Sequence, residues 1–327
     1  MKRGEGMEKG IIGVDIGGTN TVIGIFNQDL KLLEKVSIPT LKPDFPAKTS
    51  NPKEFFDLIT SEIGKLIEKT GYENNIQCVG MGVPGKVNPN TGTVIRAVNL
   101  GYENVPFASE METRLGVPVF IDNDVRVYTR GEALAGSGKG SQNLICLTLG
   151  TGMAAGVMIN GQMVTGSDFY AGELGHDPVP EATYLCNCGK IGCLETIASA
   201  SGISRLANEA IESGEQTVLT LTNGTISSKD VYLACLQNDE AALRIFDYVG
   251  KTLAYKLLTA TFLLNPEVII IGGGAAAAGK FILEPIREVF HKHYSNNELP
   301  NVTIGSLGDS AGLIGSGHLA VDKNKNN

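Results

Sequence analysis

Residues 10–26, GIIGVDIGGTNTVIGIF, place two apolar runs around a small polar break at Gly17–Asn20, which predicts two β-strands joined by a glycine turn. A related pattern returns at residues 144–164, LICLTLGTGMAAGVMINGQMV, where Asn160-Gly161 adds a hairpin signal. The two stretches form a weak internal duplication. Between them, NPKEFFDLITSEIGKLIEKTG carries Phe55, Phe56, Ile59, Ile63, Leu66 and Ile67 on one helical stripe. Asn51 is its expected N-cap, Pro52 its first helical position and Gly71 its stop. A buried strand (QCVGMGVPG), a short helix over 107–115 and another strand (VPVFID) follow. Farther on, residues 196–211 and 239–264 read as helices, the second stopping before Asn265-Pro266. EVIIIGGG reads as a strand entering a glycine turn, residues 212–230 as a surface connection and DKNKNN as a frayed tail. Strands alternating with helices predict an α/β architecture.

A chain of 327 residues exceeds the usual single core, so two lobes are expected. Its 42% hydrophobic and 19% charged residues suit a packed globular protein. The net charge of −8 offers no basic face to a phosphate backbone, so nucleic acid is not an expected partner. The start, MKRGEGMEKG, does not lead into the apolar core of a signal sequence, and runs such as VIIIGGGAAAAG fall short of the roughly 20 residues a bilayer needs. A cytoplasmic location follows as the expectation, with no membrane partner. In that reducing compartment, clustered cysteines point to metal or redox chemistry.

Such a cluster occupies residues 176–195, HDPVPEATYLCNCGKIGCLE. His176, Cys186, Cys188 and Cys193 supply one imidazole and three thiolates, the complete ligand set of a closed, structural zinc tetrahedron. A disulfide across the single residue between Cys186 and Cys188 would be strained. With all four positions filled, the metal is expected to fix Glu173, His176 and Glu195 in place and not to activate water. The second nitrogen of His176 stays able to meet a ligand. Cys78, Cys146 and Cys235 lie in apolar surroundings and read as core thiols.

In DIGGTN, the bare backbone at Gly17 and Gly18 and the donors of Thr19 and Asn20 suit an anion such as phosphate. A glycine hairpin with no ligand explains that turn equally well when taken alone; the second turn, Gly150-Thr151-Gly152, favours phosphate. The Gly272–Gly274 cluster at a strand end is a third candidate, suited to the close approach of a flat group such as adenine. Asn123 and Asp124 fall where a helix should start. They serve either as a plain cap or, with the helix dipole keeping Asp124 ionised, as an acceptor for a hydroxyl proton.

Taken together, DIGGTN, GMGVPG, NLGYENVPF, DNDVRVYTRGE, LGTG, GELGH, CNCGKIGCLE and IGGG resemble the ROK family of sugar kinases and sugar-responsive repressors, over nearly the whole chain. The resemblance implies the actin-like ATPase (ribonuclease H-like) fold, with two α/β lobes around a central cleft. It places the smaller lobe at 10–122 and the larger, with the zinc loop, at 123–308; a helix near 309–322 returns to the first. It implies ATP-dependent phosphorylation of a hexose, glucose first, with Asp124 as general base. Asn99, Asn123, Glu173, His176 and Glu195 would bind sugar hydroxyls. Gly17, Gly18, Thr19, Asn20, Gly150, Thr151 and Gly152 would contact ATP phosphates, Asp15 would act on Mg²⁺ through water, and Gly273 would lie near the adenosine. A homodimer is the family expectation.

The alternatives are a kinase for N-acetylmannosamine, N-acetylglucosamine or fructose, a non-catalytic sugar sensor, or a repressor. Only about ten residues precede the first strand, too few for a helix-turn-helix, which disfavours the repressor. One departure stands out: many family members have small residues after Asn-Asp. Here Arg126, Tyr128 and Arg130 follow, and their bulk is expected to alter the sugar pocket or an interface.

Overall fold

The structure, a computed structural model, describes residues 9–41, 52–221, 225–294 and 298–325. The chain divides into two units, Met1–Gly136 with Thr165–Tyr170 and Asp309–Asn327, and Ser137–Val164 with Ala171–Gly308.

The first unit opens with β1 (Gly10–Ile16), β2 (Asn20–Phe26) and β3 (Leu32–Pro39), then α1 (Lys53–Thr70) and β4 (Ile76–Val83). A small antiparallel sheet follows from β5 (Lys86–Asn88), β6 (Thr93–Ala97) and β7 (Tyr102–Val105). After it come α2 (Phe107–Leu115), β8 (Val119–Asn123) and α3 (Asp124–Ala135). The main sheet runs β3-β2-β1-β4-β8, antiparallel through the first three strands and parallel through the rest. Its core joins Val14, Ile23, Val79 and Ile121 to the α1 stripe, of which Phe55, Phe56, Ile59, Ile63 and Leu66 are buried. Gly71 ends α1 in a left-handed conformation, φ 73°. Pro52 caps the helix and does not open it; Asn51 lies outside the described residues.

The second unit contains β9 (Leu144–Leu149), β10 (Met153–Ile159), β11 (Gln162–Met163), α4 (Glu195–Ala198), α5 (Ala200–Glu212), α6 (Ser228–Cys235), α7 (Glu240–Leu264), β12 (Val268–Gly272), α8 (Lys280–His293) and β13 (Asn301–Ile304). Its sheet, β11-β10-β9-β12-β13, has the same succession of antiparallel hairpin and parallel strands. The duplication in the sequence is therefore one sheet topology used in both units. Leu147 and Ile271 pack with Leu253 and Leu257 of α7 and Ile282 and Ile286 of α8. The helix expected over 196–211 is broken at Ser199, whose extended backbone and side chain, accepting from the Gly202 N–H, cap α5 separately. Of the expected 212–230 connection, the last residues open α6 through a Ser227/Asp230 capping box.

The last helix, α9 (Ala311–Lys325), belongs to the first unit and packs on β1, β4 and α3. The tail expected to fray is helical through Lys325, with Asn326 and Asn327 outside the described residues. Gly80 has no Cβ because one there would lie 2.0 Å from the Ser316 carbonyl oxygen. Gly80→Ala is therefore expected to destabilise the protein by about 3 kcal/mol, read by urea unfolding; an unchanged midpoint would contradict this packing. The boundary between the units lies at Gly136, not at 122, because α3 packs on β4, β8 and α9, which are all first-unit elements. No helix among the described residues is long and apolar enough to cross a membrane.

Candidate functional site

In the first unit, the DIGGTN turn joins β1 to β2 and is closed by the Gly17 N–H donating to the Asn20 carbonyl at 2.9 Å. Thr40 steadies it, its Oγ1 donating to the Gly17 carbonyl at 2.9 Å, while Gly18, Thr19 and Asn20 stay exposed. Where β8 becomes α3, Asn123 is the N-cap: its Oδ1 accepts from the Val125 and Arg126 N–H groups at 3.0 and 3.1 Å. Its Nδ2 donates to the Gly85 carbonyl and to Asp124 Oδ1, both at 2.9 Å, and Val125 N–H also donates to Asp124 Oδ1, at 3.0 Å. Asp124 is thus held by two donors at a helix N-terminus, an arrangement that favours negative charge. Asn99 stands exposed on the turn between β6 and β7.

Asp15, at the end of β1, has its carboxyl pushed up from 3.8 to about 7, first by burial and then by the negative charges of Asp124 and Asp309. Asp309, which sequence reasoning missed, precedes α9 and is drawn in only by the return of that helix. A positive charge brought near these carboxylates would offset the same repulsion. Without a cation, Asp15 takes up a proton on folding between about pH 4 and pH 7, and stability falls as pH rises through that window. Asp15→Asn is expected to stabilise the nucleotide-free protein at pH 8, by a ceiling on the order of 4 kcal/mol, and so to raise its melting temperature. The gain should vanish near pH 4 in melts run across pH; a gain independent of pH would contradict the origin given for it.

Arg126 and Arg130 are both held by carboxylates of the first unit. Arg126 is buried against Asp122 within the first unit, and Arg130 pairs with Asp322 of α9 at 2.5 Å.

In the second unit, the LGTG turn joins β9 to β10, with Gly150 N–H donating to the Gly152 carbonyl at 2.9 Å. The start of α5 braces it: the Ala200 N–H donates to the Gly150 carbonyl at 2.8 Å and Ser201 Oγ to the Thr151 carbonyl at 2.9 Å. Gly273 is required by the Leu149 backbone, 2.7 Å from where its Cβ would stand. The glycines of GELGH lay that segment on β10, since a Cβ on Gly172 or Gly175 would meet the carbonyl oxygen of Ala155 or Met153 at 1.9 or 2.2 Å.

His176, Cys186, Cys188 and Cys193 bring their ligand atoms within 4.8 Å of one another. Zinc–ligand lengths imply edges of roughly 3.8 Å between sulfurs and roughly 3.6 Å between sulfur and nitrogen in a tetrahedron. Cys188 and Cys193 sulfurs lie 3.6 Å apart, and Cys186 Sγ lies 3.8 Å from His176 Nδ1. The set fits zinc, and 3.6 Å is far beyond a disulfide bond. His176 Nε2 faces Glu173 at 3.6 Å. As a thiol, Cys186 donates its Sγ–H to Glu195 Oε1 at 3.0 Å, and the Met153 N–H donates to Oε2 at 3.2 Å, so this carboxylate lies between the cysteine cluster and the LGTG turn. Cys78, Cys146 and Cys235 are buried, as core thiols should be.

Two sheets of one topology, each opening with a glycine-turned hairpin, define an actin-like ATPase fold. A profile of the ROK family matches residues 11–323. The chain is 36% identical to a glucokinase of Halalkalibacterium halodurans over 94% of each chain. With a glucokinase of Thermotoga maritima it shares 33% identity, over 96% of this chain and 98% of that one. A solved ROK family glucokinase from Streptomyces griseus, in complex with glucose and AMPPNP, is 30% identical and aligns with a TM-score of 0.78, covering 96% of this chain and 99% of its own. The chain belongs to the ROK family.

Proposed function

We infer that the protein is an ATP-dependent sugar kinase acting on a hexose, and that glucose is its preferred substrate. The observation that carries the mechanism is the Asp124 carboxylate, whose Oδ1 is occupied by Asn123 Nδ2 and the Val125 N–H at the start of α3. A sugar hydroxyl attacks the γ-phosphorus of ATP, its proton passes to the Asp124 carboxylate, and ADP leaves. The turns Gly17–Asn20 and Gly150–Gly152, with Gly18, Thr19, Asn20, Thr151 and Gly152 exposed, are assigned to the triphosphate, and Gly273 to the adenosine. Asp15 is assigned to Mg²⁺ through water; that ion supplies charge neutralisation. The remaining sugar hydroxyls are assigned to Asn99, Asn123, Glu173, His176 and Glu195, whose donors and acceptors match a polyol. Zinc held by His176, Cys186, Cys188 and Cys193 supplies rigidity, not water activation, because all four of its positions are taken.

A coupled ADP assay over glucose, N-acetylmannosamine, N-acetylglucosamine and fructose tests this. Glucose is expected to lead in kcat/KM by about tenfold or more. Another sugar in the lead would overturn the glucose assignment, and ADP release with none of them would overturn the kinase.

A further inference from the structure

The β8–α3 corner carries a cation that the chemistry above does not use. Arg126 is only 3% exposed. Its Nε and Nη2 both reach Asp122 Oδ1, at 2.7 and 2.6 Å. Nη2 also donates to the Val87 carbonyl at 3.2 Å, and Nη1 donates to the Phe169 carbonyl at 3.4 Å. The same Asp122 oxygen accepts from the Asn123 N–H at 2.7 Å. One guanidinium therefore fastens three stretches of the first unit: the end of β8 that leads into Asn123-Asp124, strand β5, and the segment Thr165–Tyr170.

That segment leaves β11 of the second unit in sequence yet packs with the first. Lys86 holds it again, pairing with Asp168 at 2.9 Å and lying 5.8 Å from the Tyr170 ring. Within it, Phe169 has φ 65°, a left-handed conformation that a bulky residue keeps only when its surroundings impose it. Three residues after Tyr170 the chain reaches Glu173. A buried ion pair is a poor device for stability alone, since apolar side chains of similar volume serve as well. What it supplies and they cannot is direction: a planar fork that fixes several acceptors at once.

We propose that Arg126 is a positioning residue for the sugar side of the reaction, tying the segment that leads into Glu173 to the corner that carries Asn123 and Asp124. The proposal rests on the assignment of Asp124 and Glu173 to the sugar given above.

Arg126→Lys keeps a charge beside Asp122, but one ammonium cannot span three acceptors. Hydrogen exchange and steady-state kinetics on this variant are expected to show faster exchange across residues 168–171 and a sugar KM raised by about tenfold, with the ATP KM and melting temperature near wild type. The double variant Asp122→Asn/Arg126→Met leaves no buried charge alone and should show the same split. Wild-type exchange and wild-type sugar KM in both variants would overturn the proposal. So would equal rises in both KM values with a lower melting temperature, which would mark Arg126 as merely structural. If the wild-type protein phosphorylates no sugar, the kinase reading fails instead, and the exchange measurement still decides whether Arg126 holds the segment.

Discussion

Asp124→Asn is expected to lower kcat by about a thousandfold while leaving sugar binding and folding nearly intact. Asparagine keeps the size of the side chain and an oxygen that can accept from Asn123 Nδ2 and the Val125 N–H, so the start of α3 survives. What is lost is the carboxylate proposed to take the hydroxyl proton. Removing this charge also withdraws the second cause, after burial, of the raised Asp15 value, so the pH window over which Asp15 affects stability should move down. Turnover, sugar titration calorimetry and melting across pH together check this. Near-wild-type turnover would remove Asp124 from its role as base, whatever happens to Asp15.

The second large effect is expected from the cysteine cluster. Purified protein should carry about one zinc per chain, and Cys193→Ser should lose most of it. The stretch from His176 to Cys193 has little regular structure of its own: among the described residues it is held by two isolated β-bridges, Pro178–Cys193 and Leu185–Ile191, and by turn hydrogen bonds. Zinc binding free energy is therefore in large part folding free energy here, and losing several kcal/mol of it lowers the melting temperature on the order of 10 °C. Because Glu195 contacts both Cys186 and the Met153 N–H, and His176 faces Glu173, sugar affinity should weaken in the same variant. Metal-stripped protein with unchanged melting and unchanged sugar affinity would contradict both the metal and its scaffolding role.

Several parts of the molecule were legible without coordinates because their causes are local. The stop of α1 at Gly71, the cap at Asn123 and the hairpin around Gly17 each depend on residues a few positions apart. The four candidate metal ligands lie within 18 positions, so their count and type already suggest a coordination chemistry. Other parts were opaque for physical reasons. The apolar positions Ile282, Ile286, Val289 and Phe290 have helical spacing, but Pro285 within them reads as a helix breaker, and only packing on α7 makes the helix worthwhile. Strand β3 carries Glu34, Lys35 and Pro39, features of a sheet edge that is recognisable only once β2 lies beside it.

By itself the sequence determined the duplicated hairpin turns, the metal-ligand set and the Asn-Asp helix start, since turn, cap and ligand chemistry are written in adjacent residues. Tertiary structure alone decided that α9 returns to β1 and β4, that Asp309 thereby joins Asp15 and Asp124, and that Arg126 is an internal clamp. Those outcomes bring together residues as distant in the chain as Val14 and Ser316, 302 positions apart. No local preference encodes such a meeting; close packing of small residues such as Gly80 against Ser316 does.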